Sequence, residues 1–166
     1  MVCIAAVNYD DDNRGKIQNR ERAKQIIDFS GMRFGNITPT DLDGLIEKGN
    51  KAFVFYEYKL PDAEMPSGQK LALMRIVDGL SEAGKYAVLF LCRHKQYNTE
   101  EDVKADKAIV EAIYWKNQWR KGSNLTVKEL TDKFLKWAEH PKRRDYDEER
   151  EQTLDGTGRT DIEPSA

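Results

Sequence analysis

Two apolar runs that flank a turn sequence constrain the fold of this chain more than any other feature. The runs, residues 42–46 and 52–58, stand on either side of Lys48-Gly49-Asn50. This pattern predicts a β-hairpin in which the chain reverses around Gly49. Because successive side chains of a strand point to opposite faces, the register of the hairpin decides which of its charged residues meet.

Four charged residues lie at the open end of the predicted hairpin. Glu57 and Lys59 share a face of the second strand, and Asp41 and Asp43 share a face of the first. If Asp43 lies opposite Glu57, three carboxylates and one ammonium converge there. Such a cluster is unfavourable unless something, such as a metal ion, compensates it. A slip of one residue would place Asp43 opposite Tyr56 instead.

The segments after the hairpin predict a sheet covered by helices. Residues 69–82 carry apolar side chains at helical spacing, and residues 86–92 form a nearly continuous apolar run, which is typical of a strand buried on both faces. Strand, helix and strand in this order predict a crossover that makes residues 86–92 parallel to residues 52–59. The expected fold class is therefore α/β (mixed α+β), with a central mixed β-sheet that includes the acidic hairpin and is flanked by helices.

The remaining patterns predict elements at both ends of this core. Thr126 and Glu129 form a capping box at the start of the last helix, and Gly35-Asn36 suits a tight turn. Apolar spacing predicts a helix over residues 16–29, an aromatic-rich hairpin of residues 108–115 and 119–121, and a helix over residues 127–139.

Length and charge limit the domain organisation. The chain has 166 residues, with 29 acids nearly balanced by 27 bases, so a basic patch for nucleic acid would have to be local. We expect a single domain over residues 1–139, in which residues 1–15 are uncertain. Residues 140–166 hold eight acids and five bases with few apolar residues, which predicts an acidic, disordered tail.

Cysteine usage and hydropathy indicate the compartment. Cys3 and Cys92 lie far apart in the sequence, so reduced thiols in a cytosolic protein are the expected state. No segment is long and apolar enough to span a bilayer, and residues 1–7 lack a basic leader. We therefore expect a cytoplasmic protein without a membrane partner.

The hairpin also carries a motif that resembles a known active site. D-G-L-I-E followed by A-F-V-F-Y-E-Y-K is similar to the active-site hairpin of the PD-(D/E)XK nuclease superfamily, which has the restriction-endonuclease-like fold. A leading helix, the hairpin, a crossover helix and a further strand follow that family's order over roughly residues 16–93. One departure is that Leu42, rather than a proline, precedes Asp43. The resemblance implies a Mg²⁺-dependent (or Mn²⁺-dependent) deoxyribonuclease, and family members often act as homodimers.

The resemblance assigns roles to individual residues. In the family, the first aspartate and the glutamate of the motif bind a divalent metal, and the lysine orients or activates the attacking water. Asp41 is the alternative for the first aspartate, and Glu21 is a secondary candidate beside the acidic cluster. The positions that match the family's pattern are Asp43 and Glu57 as metal ligands and catalytic residues, the Tyr58 carbonyl as a further ligand, Lys59 as the catalytic lysine and Gln69 on the crossover helix.

The residue types also suit the chemistry without reference to a family. A phosphodiester is anionic and resists attack by hydroxide, so its hydrolysis requires charge neutralisation and a nucleophile formed at neutral pH. Mg²⁺ held by oxygen ligands can supply both, and the Lys59 ammonium can stabilise developing charge. A simple cross-strand ion pair is the competing interpretation, since Asp102-Val103-Lys104 also matches the short D-x-K pattern.

Cationic and aromatic residues provide candidates for a nucleic-acid surface, where rings stack on bases and cations meet phosphates. Solvated helix faces and packed aromatics are the alternative interpretation of the same residues. The alternative function is a non-catalytic nucleic-acid-binding or regulatory protein on the same scaffold. The candidates for contact with DNA are Arg20, Lys24, Arg33, Trp119, Arg120 and Lys121.

Overall fold

The elements of the fold lie in two units that are divided between Pro39 and Thr40. The computed structural model describes Ile17 and residues 19–140. The first unit contains the short helix α1 (Arg20–Ala23). The second contains β1 (Gly44–Lys48), β2 (Ala52–Lys59), α2 (Ser67–Glu82), β3 (Tyr86–Arg93), β4 (Ile109–Trp115), β5 (Gln118–Lys121) and α3 (Val127–Glu139).

The five strands form one mixed sheet in the order β1-β2-β3-β4-β5. β2 and β3 are parallel and are joined by the crossover helix α2, whereas the other neighbouring pairs are antiparallel. The predicted mixed α+β class with a central mixed sheet flanked by helices is confirmed, as is the parallel pairing of the two buried strands. In the part of the chain that the structure describes, no helix is long and apolar enough to cross a membrane.

The register of the acidic hairpin is the one that brings the acids together. Gly44 of β1 pairs with Tyr56 of β2, so one further step along the same register sets Asp43 opposite Glu57. Gly49 and Asn50 hold φ angles of 58° and 52° in the connecting turn, the left-handed conformation that glycine and asparagine tolerate best.

Helices cover the sheet on both faces. On the face that we call the α2 face, Leu73 and Val77 of α2 are buried with Phe55 of β2 and Leu89 of β3. On the α3 face, the α3 residues Val127, Leu130, Phe134 and Leu135 pack with Val54, Tyr56, Val88 and Phe90 of the same two strands. Glu57 and Lys59 follow Phe55 at intervals of two residues, so both lie on the α2 face.

The helix predicted over residues 16–29 is wrong in its extent. α1 covers Arg20–Ala23 only, and residues 25–29 are not helical. The apolar side chains that suggested a longer helix are solvent-exposed, Ile26 by 92% and Ile27 by 73%. A short helix is only marginally stable without an apolar surface to pack on. The periodic apolar pattern alone therefore does not make residues 16–29 helical. The tight turn predicted at Gly35-Asn36 is present, where the Phe34 N–H donates to the Ile37 carbonyl at 2.9 Å.

The C-terminal elements follow their local sequence signals. Thr126 accepts from the Glu129 N–H while the Glu129 side chain accepts from the Thr126 N–H, which completes the predicted capping box of α3. The predicted aromatic hairpin is β4 and β5, connected by Lys116 and Asn117 with φ angles of 49° and 59°. Residues 1–15 and the tail beyond His140 lie outside the described residues.

Gly122 provides a test of this packing, because it follows β5 at a very close approach to β4. A Cβ atom placed on Gly122 would lie 1.9 Å from the Val110 carbonyl oxygen. We expect Gly122→Ala to lower the free energy of unfolding by about 1–3 kcal/mol, because backbone atoms must shift to admit the methyl group. Chemical denaturation monitored by circular dichroism measures this change.

Gly79→Ala is the matched control for Gly122→Ala. Gly79 lies within α2, and a Cβ atom there meets nothing within 4 Å. The same methyl group should raise the stability by about 0.5–1 kcal/mol, the difference in helix propensity. Equal effects of the two substitutions would contradict the packing around Gly122.

Candidate active site at the acidic hairpin

Glu57 is the central residue of the candidate site. Its side chain is fully buried, at 0% exposure, on β2, where Glu57 pairs with Leu91 of β3. The Nζ of Lys59 lies 2.6 Å from Glu57 Oε1, and the Lys59 side chain is 23% exposed. The two residues share a face because they are two positions apart on β2. A buried carboxylate therefore lies directly beneath a partly exposed ammonium.

Asp43 is positioned by the backbone of β2. Because β1 begins at Gly44, the N–H of Tyr58 has no partner in that strand. The Asp43 Oδ2 accepts this N–H at 2.7 Å, which fixes the carboxylate at the edge of the hairpin. The N–H and C=O of one strand residue point to the same side, so the Tyr58 carbonyl also faces the Asp43 side of β2. The Tyr58 ring packs on the α3 face, away from the acids.

Asp41 is positioned by the crossover helix. Gln69, in the first turn of α2, is buried, and its Nε2 donates to Asp41 Oδ1 at 3.1 Å. The same Nε2 lies 3.4 Å from the Asp41 carbonyl oxygen. Gln69, which the sequence placed at the site as a candidate catalytic residue, thus contacts the second aspartate rather than Asp43 or Glu57.

The electrostatic environment of Glu57 disfavours its ionised form. Burial raises the pKa of the Glu57 carboxyl, the Lys59 ammonium opposes this shift, and the charges of Asp43 and Asp41 add to it. Neither Glu57 oxygen has an aligned hydrogen-bond donor among the described residues, so the short contact with Lys59 is an ion pair without ideal directionality. The carboxylate is therefore one that an additional cation or a proton would stabilise.

The donor set suits a hard divalent cation in its chemistry. Two carboxylates and the Tyr58 carbonyl are oxygen ligands of the kind that Mg²⁺ and Mn²⁺ prefer, and both Glu57 oxygens are buried, with the Lys59 ammonium 2.6 Å from Oε1. Within residues 19–140 and Ile17, no three His, Cys, Asp or Glu side chains are grouped closely enough to hold a metal ion. Protein side chains would supply two acids at most, and water and substrate oxygens would supply the remaining ligands.

The three residues predicted for nucleic-acid contact on β5 do not share one face of the strand. Trp119 is half-buried on the α2 face, where its Nε1 donates to Met74 Sδ at 3.3 Å and its ring stands 5.3 Å from that of Tyr114. Lys121 falls on the same face as Trp119 by strand alternation. Arg120 points the other way and stands 5.4 Å from the ring of Trp115. Trp119 is mainly a packing residue, as one of the two interpretations expected.

The N-terminal candidates belong to the first unit. Lys24 and Glu21 form an exposed ion pair at 3.4 Å, Arg33 Nε donates to the Gly35 carbonyl at 3.0 Å, and Arg20 opens α1. The contacts that assemble the candidate site, by contrast, join residues of the second unit. The roles predicted for Arg20, Glu21, Lys24 and Arg33 stay predictions.

Two features of the site region have no counterpart in the sequence predictions. Arg93, the last residue of β3, donates to the Leu60 carbonyl at 2.8 Å and also bonds the Ala63 carbonyl and the Glu111 carboxylate. Beyond it, a cleft of about 690 Å³ is lined by lysines of the loop between β3 and β4. Three lysines within residues 95–107 were the available signal, but the sequence of a polar loop does not indicate where the loop lies in the fold.

Comparison with known proteins returned no match: no family model, no curated protein and no solved structure matches this chain. The resemblance of the hairpin to the PD-(D/E)XK superfamily therefore stays a prediction based on the motif and on the order of elements.

The raised pKa of Glu57 predicts a pH dependence of stability. At a pH between the unfolded value of about 4.3 and the raised folded value, the folded state keeps a proton that the unfolded state has lost. The contribution of Glu57 to stability therefore falls as the pH rises through this window. We expect wild type to lose stability relative to Glu57→Gln as the pH rises above about 4.3, as measured by urea unfolding.

Glu111→Gln is the control of opposite sign. The Arg93 guanidinium lowers the pKa of Glu111, so this group stabilises the fold above its unfolded pKa and loses that contribution as the pH falls. Wild type should gain stability relative to Glu111→Gln as the pH rises, by a small amount because the side chain is 49% exposed. A parallel trend for the two variants would contradict the environment derived for Glu57.

Proposed function

We propose that this protein is a divalent-metal-dependent nuclease that hydrolyses DNA phosphodiester bonds at the site formed by Asp43, Glu57 and Lys59. The observation that supports this most directly is the buried Glu57 carboxylate, held beside Lys59 and opposite Asp43 without an aligned hydrogen-bond donor among the described residues. A surface ion pair would leave both partners in water. Here the arrangement keeps an acid in a place that a bound cation would stabilise.

The metal would be held by Asp43 and Glu57, with the Tyr58 carbonyl as a further ligand. When bound, Mg²⁺ or Mn²⁺ supplies the positive charge that an attacked phosphodiester requires and lowers the pKa of water. Contacts within the protein fix the orientation of these side chains before a metal binds. Asp43 is held by the Tyr58 N–H, and Glu57 is held by the core of the sheet, so little ordering is needed on binding.

Lys59 has the geometry for the remaining chemical role. Its ammonium is partly exposed and lies at the end of β2 beside the acids, where it can donate to a non-bridging phosphate oxygen or to the attacking water. The positive charge there stabilises the charge that develops on the phosphoryl group in the transition state. Gln69 acts as a positioning residue, because it holds Asp41 rather than a ligand of the metal.

The ion pair itself supports a second candidate function. Glu57 already has Lys59 as a partner and Asp43 already accepts a backbone N–H, as expected for a polar cluster that only stabilises the hairpin. A non-catalytic nucleic-acid-binding or regulatory protein would retain this cluster and bind DNA without metal. Cleavage assays separate the two functions.

The cleavage prediction uses linear, circular, single-stranded and branched DNA with Mg²⁺ or Mn²⁺. We expect hydrolysis of at least one substrate, and we expect Glu57→Gln, Asp43→Asn and Lys59→Ala to lower its rate by about 10²-fold or more, the scale of losing a group that acts in the transition state. Asp41→Asn should have a smaller effect, because Asp41 contacts Gln69 rather than β2.

Asp132→Asn is the matched control for the cleavage assay. Asp132 lies on α3 and pairs with Lys128 at 2.6 Å, so the substitution removes one carboxylate on the other face of the sheet. It should leave the rate unchanged. Absence of cleavage on every substrate with either metal, or a Glu57→Gln rate equal to that of wild type, would refute the nuclease.

Metal binding can be measured without activity. Mg²⁺ or Mn²⁺ should raise the Tm of wild type, since a ligand at 100 times its Kd stabilises the folded state by about 2.7 kcal/mol. Glu57→Gln should reduce this shift strongly, and Asp132→Asn should not. Equal shifts in wild type and Glu57→Gln would place the bound ion elsewhere on the protein.

A further inference from the structure

A cleft rich in lysine lies beyond the end of β3. It has a volume of about 690 Å³ and follows the loop that connects β3 to β4. We call it the basic cleft because most of its charged lining residues are cationic. Asp102 is the acid among the lining residues. The cationic and imidazole lining residues are Arg93, His94, Lys95, Lys104 and Lys107.

The basic cleft adjoins the candidate active site through the parallel strands. Lys59 pairs with Arg93 in the β2–β3 register, and the His94 N–H donates to the Lys59 carbonyl at 3.2 Å. The first residues of the cleft are therefore hydrogen-bonded to the backbone of the candidate catalytic lysine. Both features lie within the second unit, at the end of the sheet where β2 and β3 terminate.

Arg93 lines the wall of the basic cleft, but its guanidinium is already occupied by contacts within the protein. Its guanidinium donates to the Leu60 and Ala63 carbonyls and pairs with Glu111. These bonds use most of its donors and tie the loop after β2 to β3 and β4. Contact with an anion is left to the exposed side chains of Lys95, Lys104 and Lys107, of which Lys107 also pairs with Asp106 at 3.3 Å.

The arrangement of the lysines in the basic cleft favours an extended polyanion as the ligand. Lys104 precedes a short 3-10 turn at Ala105–Lys107, and Lys107 ends it. The turn is closed by the Lys107 N–H donating to the Lys104 carbonyl at 3.0 Å. Lysine ammonium groups bind phosphate as point charges without demanding one orientation. Exposed lysines along one cleft therefore suit successive phosphates of a strand, which carry charge at regular spacing.

We propose that the basic cleft binds the phosphate backbone of a nucleic acid on one side of the bond to be cleaved. Lys95, Lys104 and Lys107 supply the contacts, which depend on charge and not on base sequence. This inference rests on the proposed nuclease function for its placement of the scissile bond, whereas the binding itself requires no cleavage.

Binding is tested on the full chain with fluorescein-labelled duplex and single-stranded DNA, in EDTA so that no cleavage occurs. Fluorescence anisotropy gives the Kd at several salt concentrations. Replacing Lys104 and Lys107 together by Gln should weaken binding by roughly 10- to 100-fold at about 0.1 M salt and reduce the slope of log K against log salt by about 1 per lysine. Lys95→Gln alone should give about half of this change in slope.

The matched control replaces Lys51 and Lys85 by Gln. These lysines precede β2 and β3, at the opposite end of the same strands, so the net charge changes equally. We expect an unchanged Kd and slope for this control. Equal weakening of binding by the two double variants would show that only net charge matters, and would overturn the proposed role of the cleft. Binding by the Lys104 and Lys107 variant that equals that of wild type would overturn it as well.

An acidic protein segment is the competing ligand class. Polyglutamate of the same charge as the DNA is added as a competitor, and we expect it to displace DNA weakly. Displacement at lower concentrations than unlabelled DNA requires would overturn the proposal in favour of a protein partner. The exposed lysines are not part of the core, and thermal unfolding of each variant checks that its fold is retained.

The outcomes also separate this inference from the proposed function. Glu57→Gln should bind DNA in EDTA as wild type does, because the cleft is intact. Lysine-dependent binding without cleavage under any metal condition would support the cleft and refute the nuclease. Cleavage with a KM that is unaffected by the Lys104 and Lys107 substitutions would support the nuclease and refute the cleft.

Discussion

The parallel pairing of β2 with β3 is the interaction on which the candidate site depends. Helix α2 can cover one face of these strands and α3 the other because the crossover returns the chain in the same direction. Glu57 thereby becomes enclosed at 0% exposure. A carboxylate in such a place is unfavourable by itself. Lys59, with its ammonium 2.6 Å from Glu57 Oε1, relieves this cost in part.

Backbone groups and one amide position the other two acids. The Tyr58 N–H holds Asp43 because β1 begins two residues too late to supply a carbonyl at that point, and Gln69 holds Asp41 from the start of α2. The three carboxylates are thus fixed by three different elements: the core of β2, the edge of the hairpin and the crossover helix. Burial is the main cause of the raised pKa of Glu57, and the charges of Asp43 and Asp41 add to it.

The near balance of charge in the whole chain conceals a local separation. The net charge is −2, yet acids gather at the open end of the hairpin and lysines gather in the basic cleft beyond β3. Both lie at the same end of the two parallel strands. The proposed nuclease function and the proposed role of the basic cleft would use this arrangement together, the acids for a cation and the lysines for an anionic polymer.

The sequence by itself determined the features that depend on neighbouring residues. Turn residues at Gly49-Asn50 set the hairpin register within one residue, the Thr126 and Glu129 pair marked the start of α3, and the apolar run of β3 predicted a buried strand. The pairing of Glu57 with Lys59 on one face followed from strand alternation alone.

Only the tertiary structure decided the features that depend on distant contacts. In place of the helix predicted over residues 16–29, the structure has a helix over Arg20–Ala23 only. Helical periodicity does not stabilise a longer helix when its apolar face has no apolar surface to pack against. The complete burial of Glu57, the bond from Gln69 to Asp41 and the path of the lysines into the basic cleft each join segments far apart in the chain. Local patterns specify faces and turns, whereas burial and charge environment are properties of the packed sheet.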